Sequence, residues 1–191
     1  MKRLTILAAV AILATSCAAP AATSTPAPEP THATVTAEPT PTPVVLGHGT
    51  YEWENATGAK GEMTLPGAAD PEVERLRALV KGPAVNYLSV KVDNRAGSEL
   101  VNMYGVSIFT PEGEELQYKN ADEYINSIRP DDAPSEVYNQ FIDLGNKHMA
   151  GAKPGAVKTF VLTGPALPKE FARVTVYPTG GYDPVDALPA S

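Results

Sequence analysis

Between Val85 and Asn94 the chain alternates without a break, with Leu88, Val90 and Val92 on one side and Ser89, Lys91 and Asp93 on the other. A period of two separates core from solvent only when the segment is a strand with one buried face. Such half-buried strands belong to antiparallel sheets, so this stretch restricts the chain more than any other. A second strand is predicted over Val101–Thr110, with Tyr104, Val106 and Ile108 in register on the core side, and a return strand begins at Leu116 and Tyr118. Asn94-Arg95-Ala96-Gly97 and Thr110-Pro111-Glu112-Gly113 carry turn residues. Together they predict a three-stranded meander at the centre of the fold.

The same alternation recurs on either side of that centre. Tyr51-Glu52-Trp53-Glu54 and Lys60 to Leu65 flank turn residues Asn55 to Gly58, which predicts a hairpin with Tyr51, Trp53, Met63 and Leu65 inward. Val157 to Leu162 and Phe171 to Tyr177 add two more strands, the latter with Ala172, Val174 and Val176 inward. The stretch from Gly180 to Ser191 reads as an exit from the domain. About seven short strands in a chain of the right length for an immunoglobulin-like sandwich predict a mainly β protein, an antiparallel β-sandwich with one or more short helices; with no cysteine pair, periodicity alone supports only a generic sandwich.

The clearest helix follows Asp70 as N-cap and Pro71 in the first turn, with Val73, Leu76, Leu79 and Val80 as its apolar stripe and Gly82-Pro83 as its stop. Buried on one face only, it is expected to cover an end or edge of the sheet. From Asn120 to Ala150 the pattern weakens. Ala121 to Ile128 reads as a short helix with Tyr124 and Ile128 inward, and Val137, Phe141 and Leu144 recur near helical spacing. A connection this long is where binding often resides. Tyr138, Asn139 and Gln140 are the contact candidates within it.

The first 44 residues follow different rules. Lys2 and Arg3, an apolar run from Leu4 to Ala14, and Thr15-Ser16 before Cys17 have the order of a secretory signal peptide, too short to span a bilayer as a helix. Leu13-Ala14-Thr15-Ser16-Cys17 resembles the lipobox of bacterial lipoproteins, with Ala14 where Leu is usual. The resemblance implies a diacylglycerol thioether on Cys17, the only cysteine in the chain. Thiolate chemistry suits lipid attachment, and two acyl chains suffice for stable anchoring. From Ala18 to Val44 the chain is almost wholly Ala, Pro and Thr, which cannot bury enough surface to fold. In polyproline II its 27 residues reach roughly 80 Å. Thr40-Pro41-Thr42-Pro43 has the composition of an O-glycosylated stalk, and a bare tether fits it equally. The expected organisation is thus a signal peptide over 1–16, a lipidated N-terminus and disordered linker over 17–44, and the sandwich over 45–191.

Charge and side-chain chemistry narrow the function. Loss of Lys2 and Arg3 moves the formal charge from −7 to −9, which disfavours nucleic acid as a partner. Of three histidines, His32 lies in the linker, His48 near the first strand, and His148 beside Met149. None has a metal-ligand spacing, and if a metal site exists His148 and Met149 are its members. Asp122-Glu123 and Asp131-Asp132 lack the alternation of a calcium loop. Glu52 and Glu54 share a strand face, which an exposed alternating strand explains without glycosidase chemistry. Neither a Gly-x-Ser-x-Gly elbow nor a phosphate-binding loop is present. Trp53, Tyr104, Tyr118, Tyr124 and Tyr138 are candidates for a ligand cleft, with core or edge packing the expected fate of most.

The sequence Tyr87-Leu88-Ser89-Val90-Lys91-Val92-Asp93-Asn94, its turn to Gly97, Val106-Ser107-Ile108-Phe109 and Pro111-Glu112-Gly113 carry a wider resemblance. Pro154-Gly155-Ala156-Val157 and Pro168-Lys169-Glu170-Phe171-Ala172-Arg173-Val174 extend it, so that it covers roughly residues 48 to 178. These stretches resemble an uncharacterised immunoglobulin-like domain of Gram-positive, actinobacterial-type lipoproteins, similar in architecture to the mycobacterial immunoprotective secreted antigen. The resemblance implies a fold and an address, with no catalytic residues and no cofactor to carry over. The expectation is a non-catalytic interaction module, lipid-anchored through Cys17 on the extracytoplasmic face of the cell membrane and binding a cell-envelope or extracellular protein. A cell-envelope enzyme or hydrolase accessory, and a metal-handling lipoprotein, are the alternatives.

Overall fold

The computed structural model describes residues 45–179 and 183–191. Residues 1–44, with the expected signal peptide, Cys17 and the expected linker, lie outside the described residues. The strands are β1 (Leu46–Gly47), β2 (Gly49–Glu54), β3 (Lys60–Leu65), β4 (Asn86–Asp93), β5 (Gly105–Phe109), β6 (Glu115–Asn120), β7 (Val157–Gly164), β8 (Glu170–Phe171), β9 (Arg173–Tyr177), β10 (Val185–Asp186) and β11 (Leu188–Pro189). Helices α1 (Pro71–Val80), α2 (Ala121–Ser127) and α3 (Ser135–Met149) interrupt them. The protein is mainly β and antiparallel, with short helices, as the alternation requires.

Nine strands form one sheet in the order β10-β9-β5-β6-β7-β4-β3-β2-β11, and β1 pairs separately with β8. Only Ala187 separates β10 from β11, so a single stretch of chain pairs with β9 at one end of the order and β2 at the other. The sheet therefore nearly closes on itself. At β6 and β7 its two halves meet through just Lys119↔Thr163 and Asn120↔Leu162. One half is β9-β5-β6 and the other β7-β4-β3-β2. Between them lie Tyr51, Trp53, Met63, Leu88 and Val90 from the second half and Val106, Ile108, Tyr118, Val174 and Val176 from the first. Consecutive strands β2, β3 and β4 lie side by side, whereas a constant-type immunoglobulin sheet interleaves strands distant in sequence. The likeness to that class is one of architecture.

The β2–β3 hairpin forms in the expected register, Tyr51↔Met63 and Trp53↔Gly61, with Tyr51, Trp53, Met63 and Leu65 all buried. The central meander does not form. β4 pairs with β3 and β7, and β5 pairs with β6 and β9, so the two strands sit in different halves. The cause is Asn94. Fully buried, its Nδ2 donates to the carbonyls of Glu99 and Ala152, each at 2.8 Å, while its backbone carbonyl accepts from Gly97 and Gly155. That locks the turn and sends Val101 and Met103, both buried, across to the other half.

The tail is also not an exit. Ala187 is buried and donates its backbone N–H to Val174 at 2.9 Å, and Ala190 donates to Thr50 at 2.8 Å. Two-residue strands separated by one alanine leave no alternation to detect.

The helices make a second core on the outer face of β4 and β7. Val73 and Leu76 of α1, Ala121 and Ile125 of α2 and Phe141 and Leu144 of α3 pack around Tyr87, with Val161 partly buried against them. Helix α1 thus covers a sheet face, not an end or edge. It begins as its sequence demands, with the Asp70 carboxylate accepting from the Glu72 and Val73 N–H groups at 2.9 and 3.0 Å. Its left-handed cap is Lys81, one residue before the glycine, and Leu79 is exposed. The weakly patterned 121–150 stretch is two packed helices; in the first, Ala121 and Ile125 are fully buried while Tyr124 and Ile128 are half-buried.

Candidate functional site

Two grooves open on the outer sheet surfaces, one on each half. The larger, about 670 Å³, lies over β2, β3 and the end of β4 beside the closing segment. Its floor is a chequerboard of charge, since Glu62 stands opposite both Glu52 and Lys91, and Lys60 opposite both Glu54 and Asp93. Lys60 meets Glu54 at 3.1 Å, and Arg95 bonds the Asp93 carboxylate and holds its pKa down to about 2. Glu52 and Glu54 are therefore members of an exposed, mixed-charge face, with Glu54 paired to Lys60 and Glu52 across from Glu62. Exposed ion pairs of this kind contribute little to stability and are screened by salt.

The smaller groove, about 360 Å³, lies over β5, β6 and the end of β9. Strand register builds it row by row, with Tyr177, Gly105 and Lys119 abreast and then Thr175, Ser107 and Gln117. Gly105 leaves the first row without a central side chain, and a Cβ there would lie 2.7 Å from the Tyr118 carbonyl oxygen. Glycine inside a strand commonly marks such a close approach. Ser107 is buried and donates to the Glu115 carboxylate at 2.6 Å, and Gln117 Nε2 donates to the same oxygen at 3.2 Å. These two bonds hold the Glu115 carboxyl below its ordinary pKa, Ser107 contributing most. Lys119 pairs with Glu123 of α2 at 2.9 Å.

Tyr104 stands at the rim of this groove. Predicted to be a core residue, it is 54% exposed. Met103 adopts a left-handed backbone (φ 41°) and is fully buried, which breaks the alternation two residues before β5. The Tyr104 N–H is held by the Tyr177 carbonyl at 2.9 Å, so the exposed ring sits over a fixed backbone.

The chain matches no protein-family model, no curated protein and no solved structure.

The contact candidates on α3 do not converge. Tyr138 is exposed with the Arg129 guanidinium 4.9 Å from its ring centroid, Gln140 accepts from Arg75 of α1 at 2.8 Å, and Asn139 is exposed. Gln140 and Tyr138 are engaged within the protein, and none of the three lines either of the grooves described above. His148 and Met149 also separate, His148 being buried and Met149 exposed. His48 bonds the Pro168 carbonyl at 3.0 Å. Among the described residues no group of three His, Cys, Asp or Glu side chains is placed to hold a metal ion. Nor is any described helix long and apolar enough to cross a membrane.

Of the aromatic candidates, Trp53 and Tyr118 are core, Tyr124 is half-buried, and Tyr104 alone borders a groove with its ring exposed. Gln117, Lys119 and Tyr177 carry no signal that singles them out in sequence, since only register across three strands brings them together. The glycine at 105 is the one local hint.

Proposed function

We propose that this chain is a lipid-anchored surface protein whose folded part, residues 45–191, is a non-catalytic binding module on the extracytoplasmic face of a Gram-positive cell membrane. The observation that carries the binding half is the exposed Tyr104 ring at the rim of a groove that also carries Gln117, Lys119, Glu115 and Glu123. A large aromatic left in water beside paired polar groups is the common anchor of a recognition surface. Glu52 and Glu54 support the non-catalytic half, because both lie on an open, mixed-charge strand face on which Glu54 is paired with Lys60. The anchoring half rests on Cys17 after its basic start and apolar run. The Ala/Pro/Thr stretch that follows is a tether of suitable reach.

Each half has its own test. In a Gram-positive host fed labelled palmitate, wild-type chain should carry the label and fractionate with membranes, while Cys17→Ala should be unlabelled and soluble. An unlabelled wild type overturns the anchoring. For the binding half, immobilised full chain should capture envelope material that the Tyr104→Ala chain does not. Equal capture by both removes the groove from the function.

A further inference from the structure

The groove at Tyr104 also limits what its ligand can be, an inference that rests on the binding reading above. Its charged groups are already satisfied: Lys119 by Glu123, and Glu115 by Ser107 and Gln117. An anion would meet one lysine, already neutralised, and two carboxylates. A metal cation would find Glu115 and Glu123 each held by a donor of the protein. The floor strand β5 is paired on both sides, so its backbone offers nothing to an added peptide strand. An aliphatic ligand would find only the two tyrosine rings among side chains that are otherwise polar.

What the groove does offer is an exposed tyrosine ring at the rim, a second half-exposed tyrosine at 177, and hydrogen-bonding groups of Gln117, Glu115 and Lys119 along one wall. Tyrosine ring faces are apolar with a polar tip. They suit the C–H face of a pyranose, whose edge hydroxyls take both donors and acceptors. Ser107 fixes the Glu115 carboxylate as an acceptor in advance, which lowers the ordering cost of binding. From this combination we infer that the groove over β5, β6 and β9 binds a neutral saccharide, with Tyr104 as the stacking residue and Gln117 as a hydroxyl-recognising residue.

The test is titration of the purified full chain with chitotetraose and, separately, maltotetraose, followed by calorimetry and by intrinsic tyrosine and tryptophan fluorescence. At least one sugar should bind at millimolar concentration. Tyr104→Ala should weaken that binding by about tenfold, equal to about 1.4 kcal/mol. Tyr104→Phe should retain it, because the ring face and not the hydroxyl makes the contact. Gln117→Ala should weaken it while leaving the melting temperature unchanged, Gln117 being an exposed residue. Absence of binding to both sugars overturns the saccharide inference, as does binding that is indifferent to Tyr104→Ala. If the sugars fail while capture of envelope material still depends on Tyr104, the binding module stands and its ligand is of another class. If both fail, the module reading falls as well.

Discussion

Asn94→Asp exchanges an amide nitrogen for an oxygen at a site where two carbonyl oxygens wait 2.8 Å away. The residue is fully buried; its bond to Ala152 is sealed from solvent, while that to Glu99 is only part-buried. Removing the amide altogether, as in Asn94→Ala, deletes two hydrogen bonds of about 1 kcal/mol net each. Ala152 keeps one donor, the N–H of Val101, and the Glu99 carbonyl lies in an exposed residue that water can reach. The expected loss for alanine is therefore about 2 to 3 kcal/mol. Aspartate at neutral pH adds an unpaired buried charge, which costs about 3 to 5 kcal/mol. Protonation restores one O–H donor and removes the charge. The carboxyl at position 94 would thus have a folded-state pKa above its unfolded value of about 3.9. The native state then binds more protons than the unfolded state, so the deficit of Asn94→Asp is full above the raised folded pKa and shrinks as pH falls through it. Urea unfolding of wild type, Asn94→Ala and Asn94→Asp across mildly acidic to neutral pH measures all three. An aspartate variant as stable as wild type at neutral pH, or equally unstable at every pH, would refute the assignment of Asn94 as the lock on the turn after β4.

Other consequences are simpler to state. His148 is buried, and desolvation, with help from nearby Lys147 and Lys158 against the opposing pull of Asp70 and Glu72, lowers its pKa. Because the unfolded chain takes up that proton first, stability should fall as pH drops below about 6.5. His148→Gln should flatten this slope, as read by urea midpoints at several pH values. Phe141 is fully buried among the helices, so Phe141→Ala should cost about 3 to 5 kcal/mol. A loss under about 1 kcal/mol in chemical denaturation would mean that the helical layer is not part of the cooperative unit. Tyr118 is buried with its hydroxyl donating to the Pro165 carbonyl at 2.7 Å, and burial pushes its pKa up to about 12. Spectrophotometric titration should therefore find Tyr118 ionising well after the exposed tyrosines, alongside Tyr87, which burial and its bond to Glu74 also push up, and Tyr118→Phe should remove one of these late steps.

Much of the fold is legible one segment at a time. Leu88, Val90 and Val92, the Tyr51/Trp53 hairpin and the Asp70-capped helix follow from periodicity and capping, because those signals are local and the burial that enforces them is one-sided. What is not legible is which strand meets which. Asn94-Arg95-Ala96-Gly97 looks like a hairpin turn, yet the Asn94 amide points at a carbonyl 58 residues away, and no neighbouring residue announces it. The closing segment around Ala187 fails for a related reason, since two paired residues on each side are too few to show a period.

The candidate site divides along the same line. Sequence supplies Cys17 and the Ala/Pro/Thr-rich stretch after it, features that depend on chemistry and composition and need no partner in space. It also supplies a list of tyrosines without saying which are outside. The left-handed turn at Met103 decides that Tyr104 faces solvent, and the register of β9, β5 and β6 decides that it borders Tyr177, Lys119 and Gln117. A period can place a side chain on a face. Only long-range pairing can place three strands' side chains around one groove, because the residues that meet there lie up to 73 positions apart in the chain, from Tyr104 to Tyr177.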